Sequence, residues 1–403
     1  MINFFEARKK VLSHAVSLSS FRLPFTDALG FVLAEDIHTK ENIPRFDFSA
    51  VDGFAVNSRD LLNVTNKKPV ALSLLGTIQA GDSTIAALRP QMAMKILTGA
   101  PIPKNTDAVV MQEFVEQDNN QIRFFHSIES GENIRRAGQE FQKGKIVLPN
   151  GAVINPPIIG LLATIGKTTV RVYRKPRVAI IVTGNELVSP SARISRGKIR
   201  DANSSTLASA LMRLGITPVF SARVQDDITA TQKAIASALN KSDVVLTVGG
   251  VSVGEYDFVK TALEHLNVSP VFWRVAIKPG KPNFFGTKGK KLVFGLPGNP
   301  VAVLVSFELF VKPALRKMMG YTITEPMQLK ATLSVSLRKK AGRMEFVRGV
   351  FSTNENGVFV IPAKGQESHM LGGLAVANCL IHFPQDEEYI PEGNVVTITV
   401  LHW

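Results

Sequence analysis

From Pro176 onward the chain alternates short, mainly apolar runs with helical patterns, and that rhythm restricts it to few architectures. The apolar runs cover residues 178–182, 218–222 and 244–248, separated by helical patterns at 205–214 and 229–239. Strands without polar alternation belong in a sheet covered on both faces, so the pattern predicts a parallel, doubly wound α/β sheet. Such sheets bind ligands beyond the carboxyl ends of their strands, which directs attention to the loops that follow each run.

Three of those loops are small-residue turns: Gly249-Gly250-Val251-Ser252-Val253-Gly254, Lys278-Pro279-Gly280-Lys281-Pro282 and Gly295-Leu296-Pro297-Gly298-Asn299-Pro300. Glycines let backbone N–H groups approach an anion closely, and Lys278 and Lys281 sit on a proline-braced turn that restricts how their ammonium groups are presented. The expected product is a phosphate or oxyanion site, made of Gly249, Gly250, Ser252, Gly254, Lys278, Lys281, Pro282, Pro297, Gly298 and Asn299.

Further loops bring carboxylates to the same sheet edge. Glu186 follows the first run, Asp226 the second, and Asp257 lies just past the glycines at the start of the next helix. A carboxylate at a helix start is also an ordinary dipole partner. Glu186 with Asp257 suits Mg²⁺, a hard cation that takes one or two carboxylates together with phosphate oxygens. In Arg200-Asp201-Ala202-Asn203-Ser204, Asn203 or Ser204 is expected as a helix cap, and Asp201 as either a turn residue or part of the site.

Gly250-Val251-Ser252-Val253-Gly254 also matches the nucleophile-elbow pattern of acyl hydrolases, with His369, His382 or His402 as the downstream histidine. Against that reading, an HGGG-type oxyanion segment is missing, and an elbow does not account for the neighbouring Lys-Pro and Pro-Gly-Asn-Pro turns.

The rest of the chain has other textures. Residues 3–19 place Phe4, Ala7, Val11, Ala15 and Leu18 at helical spacing. From about 25 to 140 come short β-rich runs broken by Pro and Gly, and residues 156–166 read as a helix with Pro in its first turn and Gly past its end. Beyond Gly320 the chain turns β-rich again, as at 328–337 and 395–401, which predicts a small barrel or sandwich. The resulting division is multidomain α/β plus β. It has a helical linking domain of 1–22 with 141–174, a β-rich inserted domain of 23–140, an α/β domain of 175–321 and a terminal β-barrel of 322–403.

A chain of 403 residues is longer than one core usually serves, and 45% hydrophobic content supplies several. The net charge of +14 favours anionic clients, yet the basic residues are scattered, without aromatic interleaving, so a nucleic-acid groove is not expected. One cysteine, Cys379, excludes an intrachain disulfide and a multi-cysteine metal site. No apolar run approaches the roughly 20 residues of a bilayer span, and the first residues lack a secretory h-region. A cytoplasmic protein without a membrane partner is expected.

Taken in order, the segment from Thr247 to Asp257, the turns 278–282 and 295–300, and several further motifs resemble the MoeA family, the molybdopterin molybdenumtransferases. Those further motifs are Ser49-Ala50-Val51-Asp52-Gly53-Phe54-Ala55, Thr98-Gly99-Ala100-Pro101, Asn133-Ile134-Arg135-Arg136-Ala137-Gly138 and Gly342-Arg343-Met344-Glu345-Phe346. The resemblance extends almost end to end. It implies a molybdopterin-binding α/β domain and an elongated homodimer that inserts molybdate into adenylylated molybdopterin, releasing AMP in a Mg²⁺-dependent step. An upstream molybdopterin adenylyltransferase is the implied partner.

By motif position the resemblance makes Asp52, Glu186, Asp226, Asp257, Lys278 and Lys281 catalytic, with Asp52 reaching the partner subunit's α/β site. It adds Thr98, Glu140, Asp201, Arg343 and Ser368 to the substrate-holding set. Three positions depart from the family pattern: Asn185 replaces an Asp, Gln139-Glu140 replaces an acidic pair ending in Asp, and Ala302 stands where Ser is common. A related adenylyltransferase and a non-catalytic gephyrin-like scaffold are the alternative readings.

Overall fold

The computed structural model describes residues 1–83, 86–250 and 258–403. The described chain forms two compact units: Met1–Ala34, Gly151–Pro156 and Thr169–Trp403 make one, and Glu35–Asn150 with Pro157–Thr168 the other.

The first unit opens with helix α1 (Phe4–His14), where Asn3 caps the start by accepting from the Glu6 amide at 2.8 Å. Its apolar stripe of Phe4, Ala7 and Val11 is buried, and Ala15 just past its end continues the same buried line. All four enter the core beneath the α/β sheet. That sheet holds β1 (Val178–Thr183), β2 (Phe220–Val224), β3 (Val244–Val248), β4 (Ser269–Arg274), β5 (Pro282–Lys288) and β6 (Lys291–Leu296), in the spatial order β2-β1-β3-β6-β5-β4. The pairings among β2, β1, β3 and β6 are parallel. β5 runs antiparallel to both β6 and β4, so the sheet is mixed where the apolar rhythm predicted parallel strands throughout. The cause is local: Gly289, at φ +58°, turns β5 back as a tight hairpin with β6, leaving no length for a helical crossover.

Helices α2 (Ala202–Met212), α3 (Ile228–Lys241), α4 (Phe258–His265), α5 (Pro300–Ser306) and α6 (Lys312–Met318) cover both faces. Val178, Ile180 and Val182 of β1 pack with α1, α2, α5 and α6 on one side. Ala179 and Ile181 pack with α3 and α4 on the other. Each Val, Leu or Ile side chain buried this way contributes about 1.5–3 kcal/mol, which is why runs without polar alternation become central strands. The chain leaves β1 for β2 on one side and returns to β3 on the other. The switch point of the sheet therefore lies between β1 and β3.

After α6 come β7 (Gln328–Leu333), β8 (Met344–Asn354), β9 (Gly357–Pro362), β10 (Cys379–Phe383) and β11 (Val395–Val400). They pair in the order β8-β9-β7-β11-β10, and β8 also pairs β10, closing a five-stranded barrel. On its other flank β8 receives the two-residue strand Ile277–Lys278 in parallel, with Lys278 opposite Glu345. Ahead of the sheet, Ser20–Pro24 and Thr169–Tyr173 pair antiparallel, tying together the chain before and after the intervening segment.

The second unit is built on a six-stranded sheet in the order Ala108–Met111, Gly53–Val56, Met92–Ile96, Val70–Ile78, Gln121–Phe124, Val115–Asp118. Phe54, Leu72, Ile122 and Phe124 fill one core, and Ala55, Ile78, Ile96 and Val109 another. Among the described residues, no helix is long and apolar enough to cross a membrane.

Candidate active site

Four loops meet at the carboxyl ends of the parallel strands. After β1, the glycine of Thr183-Gly184-Asn185-Glu186 sits so close to the Glu186 carboxylate that a Cβ on Gly184 would lie 2.6 Å from Oε1. Asn185 and Asp226 clasp the ends of β1 and β2. The Asn185 amide donates to Asp226 Oδ2 at 3.1 Å, and the Asp226 amide donates to Asn185 Oδ1 at 3.1 Å. An Asp at 185 could accept from the Asp226 amide in the same way, so Asn185 makes this clasp without adding a charge.

After β3, Gly249 and Gly250 take φ of +83° and +62°, values that favour glycine. A Cβ on Gly249 would lie 2.8 Å from the Thr183 carbonyl oxygen, and one on Gly250 would lie 2.6 Å from Val259 Cγ2. Side-chain-free backbone is thus required beside the switch point. The turn after β6 reaches the same place: a Cβ on Gly298 would lie 3.9 Å from Gly249 Cα. Ser252, Gly254 and Asp257 lie outside the described residues.

The lysine-bearing turn and the Pro-Gly-Asn turn share one cavity of about 600 Å³ with the barrel. Lys278, Lys281, Pro282, Pro297, Gly298 and Asn299 line it from the sheet side, and Arg343 and Ser368 from the barrel. Asn299 Nδ2 donates to Ser368 Oγ at 2.7 Å, and the Val301 amide donates to the Ser368 carbonyl at 3.3 Å, so the barrel loop is fastened to the start of α5. Ala302 also lines this cavity. The floor of the turn is braced by Asn283, whose amide donates to the Gly280 carbonyl and, at 3.0 Å, to Ser306 Oγ.

Two residues of this region escaped sequence reasoning. Glu345 Oε1 lies 3.1 Å from Lys278 Nζ. Asn203, expected as a helix cap, is buried instead, with Nδ2 donating to the Gly298 carbonyl at 2.8 Å. The cap is Asp201, which accepts from the Ser204 amide at 3.0 Å and lies 3.5 Å from Arg223 Nε. At 2% exposure, Asp201 spends its carboxylate on these partners.

In the second unit Asp52 and Thr98 come together: the Thr98 amide and hydroxyl both donate to Asp52 Oδ1, at 2.7 and 2.8 Å. These two bonds, with Lys95 nearby, hold the exposed Asp52 carboxyl below the usual carboxylate range. Glu140 is exposed, and its backbone amide donates to the Ile43 carbonyl at 3.0 Å. Of the histidines weighed for a hydrolase, His382 is buried in the barrel with Nε2 2.7 Å from Thr399 Oγ1. None of His369, His382 and His402 lines the cavity that gathers the lysines.

A doubly wound sheet with glycine backbone at its switch point, carboxylates on its strand-end loops and a neighbouring cavity lined by two lysines defines an α/β protein that handles an anionic ligand. Comparison narrows the class. The chain matches the MoeA N-terminal region (domain I and II) over residues 2–166, a probable molybdopterin binding domain over 179–317 and the MoeA C-terminal region (domain IV) over 330–401. It is similar to the molybdopterin molybdenumtransferase of Haemophilus influenzae, 36% identical over 402 residues, covering 99% of this chain and 98% of that protein. The Bacillus subtilis molybdopterin molybdenumtransferase is 34% identical over 379 residues, covering 93% and 88%. The crystal structure of the molybdopterin biosynthesis moeA protein from Pyrococcus horikoshii OT3 superposes with a TM-score of 0.87 at 32% identity, covering both chains completely. The chain belongs to the MoeA family of molybdopterin molybdenumtransferases, enzymes of molybdenum cofactor biosynthesis.

Proposed function

We propose that the enzyme joins molybdate to adenylylated molybdopterin and releases AMP, in a Mg²⁺-dependent step at the cavity beside the switch point. The observation that carries this reading is the convergence of Lys278, Lys281, Arg343, Ser368 and the Pro297-Gly298-Asn299 turn on one cavity. Lysine and arginine charges with hydroxyl donors can hold two anions side by side. That turns an encounter of mutually repelling reactants into a local one.

The donor set fits a hard cation. Glu186 offers an exposed carboxylate at the end of β1, and Asp257 is the second expected ligand. Among the described residues no group of three or more His, Cys, Asp or Glu side chains is assembled for a metal. A pair of carboxylates suits Mg²⁺, which takes few protein ligands and fills its shell with substrate oxygens and water. When bound it would neutralise charge on the phosphoanhydride.

Asp52, held ready by Thr98 on the second unit, is assigned to the site of a partner subunit, making the working form a cytoplasmic homodimer. Thr98 and Glu140 are assigned to substrate binding. The four-domain division of 1–22 with 141–174, 23–140, 175–321 and 322–403 is part of this reading, as is receipt of the substrate from an adenylyltransferase.

The test is AMP release by purified protein given adenylylated molybdopterin, molybdate and Mg²⁺. Release should need all three, stop on chelation and return with added Mg²⁺. No molybdate-dependent AMP would sink the reading. Mixing an Asp52→Ala protein with an Asp257→Ala protein tests the shared site: heterodimers should regain activity that neither parent has.

A further inference from the structure

The two lysines of the cavity are held in different ways. Lys278 lies in the short strand against the barrel and pairs with Glu345, whereas Lys281 is exposed and forms no ion pair among the described residues. What fixes Lys281 is Asn283, two residues on and 3% exposed. Its Nδ2 donates to the Gly280 carbonyl and, at 3.0 Å, to Ser306 Oγ, so both amide protons are committed. Its backbone amide donates to the Lys281 carbonyl at 3.1 Å, and the Val275 amide donates to the same oxygen at 3.1 Å.

The carbonyls of Gly280 and Lys281 belong to the two peptide groups on either side of the Lys281 Cα. Peptide groups are planar, so holding both carbonyls fixes the direction in which the Lys281 side chain leaves the chain. Asn283 holds both. The space around the turn is filled as well: a Cβ on Gly280 would lie 2.9 Å from Ser306 Oγ and 3.0 Å from Asn283 Nδ2. Ser306 ends α5, and the Pro297-Gly298-Asn299 turn leads into its start, where Asn299 Nδ2 and the Val301 amide are bonded to Ser368. Helix α5 is therefore the common reference for two turns whose Lys281 and Asn299 line the same cavity. Asn283 does not line that cavity itself, so any effect it has on a ligand passes through Lys281.

Resting on the function proposed above, we infer that Asn283 is a positioning residue. It sets the root of Lys281 at a fixed place measured from α5, and thereby sets the grip of that ammonium on an oxyanion of the substrate. A lysine side chain is long and freely rotating, and anchoring the backbone at its root reduces the freedom it gives up on meeting an anion.

The experiment titrates molybdate and AMP separately, by calorimetry, into the full chain and into Asn283→Leu, which keeps the branched outline of the side chain and removes its donors. At least one anion should bind Asn283→Leu about five- to tenfold more weakly, and Lys281→Ala should weaken the same anion by at least as much. A purely structural loss would multiply with that of the lysine, and a loss acting through Lys281 would not. Asn283→Leu placed in the Lys281→Ala protein should therefore cost less than about a further twofold. Should Asn283→Leu fold poorly, as judged by its melting temperature, Ser306→Ala removes only one of the two side-chain acceptors. It should weaken the same anion about threefold in the intact chain and leave affinity unchanged in the Lys281→Ala protein. Unchanged affinity for both anions in the variant that folds, or a loss that multiplies with that of Lys281→Ala, would overturn the inference and leave the proposed function standing. Binding of neither anion to the intact protein would overturn the proposed function and this inference with it.

Discussion

Glu345 Oε1 stands 3.1 Å from Lys278 Nζ, so a barrel carboxylate already occupies one of the two lysines that face the cavity. Lys278 is half exposed and Glu345 largely buried, which makes this an ion pair of modest strength. An incoming dianion has to share or displace that carboxylate. Glu345→Gln is expected to lower the KM for molybdate about two- to fivefold, with a steeper salt dependence, because a neutral amide no longer competes for the ammonium and the site gains net positive charge. Steady-state kinetics across molybdate concentrations at two ionic strengths would check it. An unchanged or higher KM would mean that Glu345 orients Lys278 rather than competing for it.

Thr98→Val removes the hydroxyl that donates to Asp52 Oδ1 and leaves the backbone donor in place. Both bonds favour the charged carboxylate, so losing one should raise the pH at which Asp52 titrates. Carboxyl NMR should show that rise. The acidic limb of the pH–rate profile is expected to move upward with it, while the melting temperature stays near that of the parent.

His382 is predicted to make the barrel acid-sensitive. Burial, with Arg8 and Lys330 nearby, lowers its pKa from 6.5 to about 4, and Thr399 accepts or donates at its Nε2. The unfolded chain takes up the proton near 6.5 and the folded chain only near 4. Folding stability should therefore be complete above about pH 6.5 and fall as the pH drops toward 4, by up to about 3 kcal/mol. Denaturant melts at several pH values give the slope. In His382→Gln, which keeps a polar partner for Thr399, the slope between pH 6.5 and 4 should flatten.

Asp243 tests stability without touching the site, since it lies at the start of β3, opposite the functional loops. Burial pushes its carboxyl up. Hydrogen bonds from the Arg174 guanidinium at 2.7 and 3.0 Å and from the Arg177 amide at 2.8 Å override burial and hold it at about 2. This contribution is present above about pH 4 and lost as the pH falls toward 2. Asp243→Asn should cost about 2 kcal/mol, after allowance for solvent around the partly exposed arginines, and leave the KM values unchanged. A changed KM with unchanged stability would contradict the assignment.

Sequence reading reached furthest where local pattern and burial agree. The runs at 178–182 and 244–248 are central strands because every position in them is buried, and the loops that follow carry Glu186 and Gly249 as expected. The helix at the amino terminus followed from its 3–4 spacing, although it ends at His14 because the next residues are extended. The twisted-back strands at 269–288 were not legible, since an antiparallel hairpin in an α/β context leaves no mark on apolar periodicity. Neither was the exchange of roles at 201–204, where Asp201 rather than Asn203 caps α2. Glu345 and Asn203 found their partners across 67 and 95 positions of chain, and no spacing rule connects residues that far apart.

The short parallel pairing of Ile277–Lys278 with Met344 and Glu345 has a consequence for how this chain can be taken apart. The strand that seals the barrel is also the ruler against which Lys278 is set, opposite Glu345 and two residues along from Arg343. A fragment ending before residue 328 would keep the whole α/β sheet and lose the gauge that sets its lysine. Such a piece should fold and still fail to grip an anion, because a segment made after the α/β sheet is the one that calibrates the first contact with substrate.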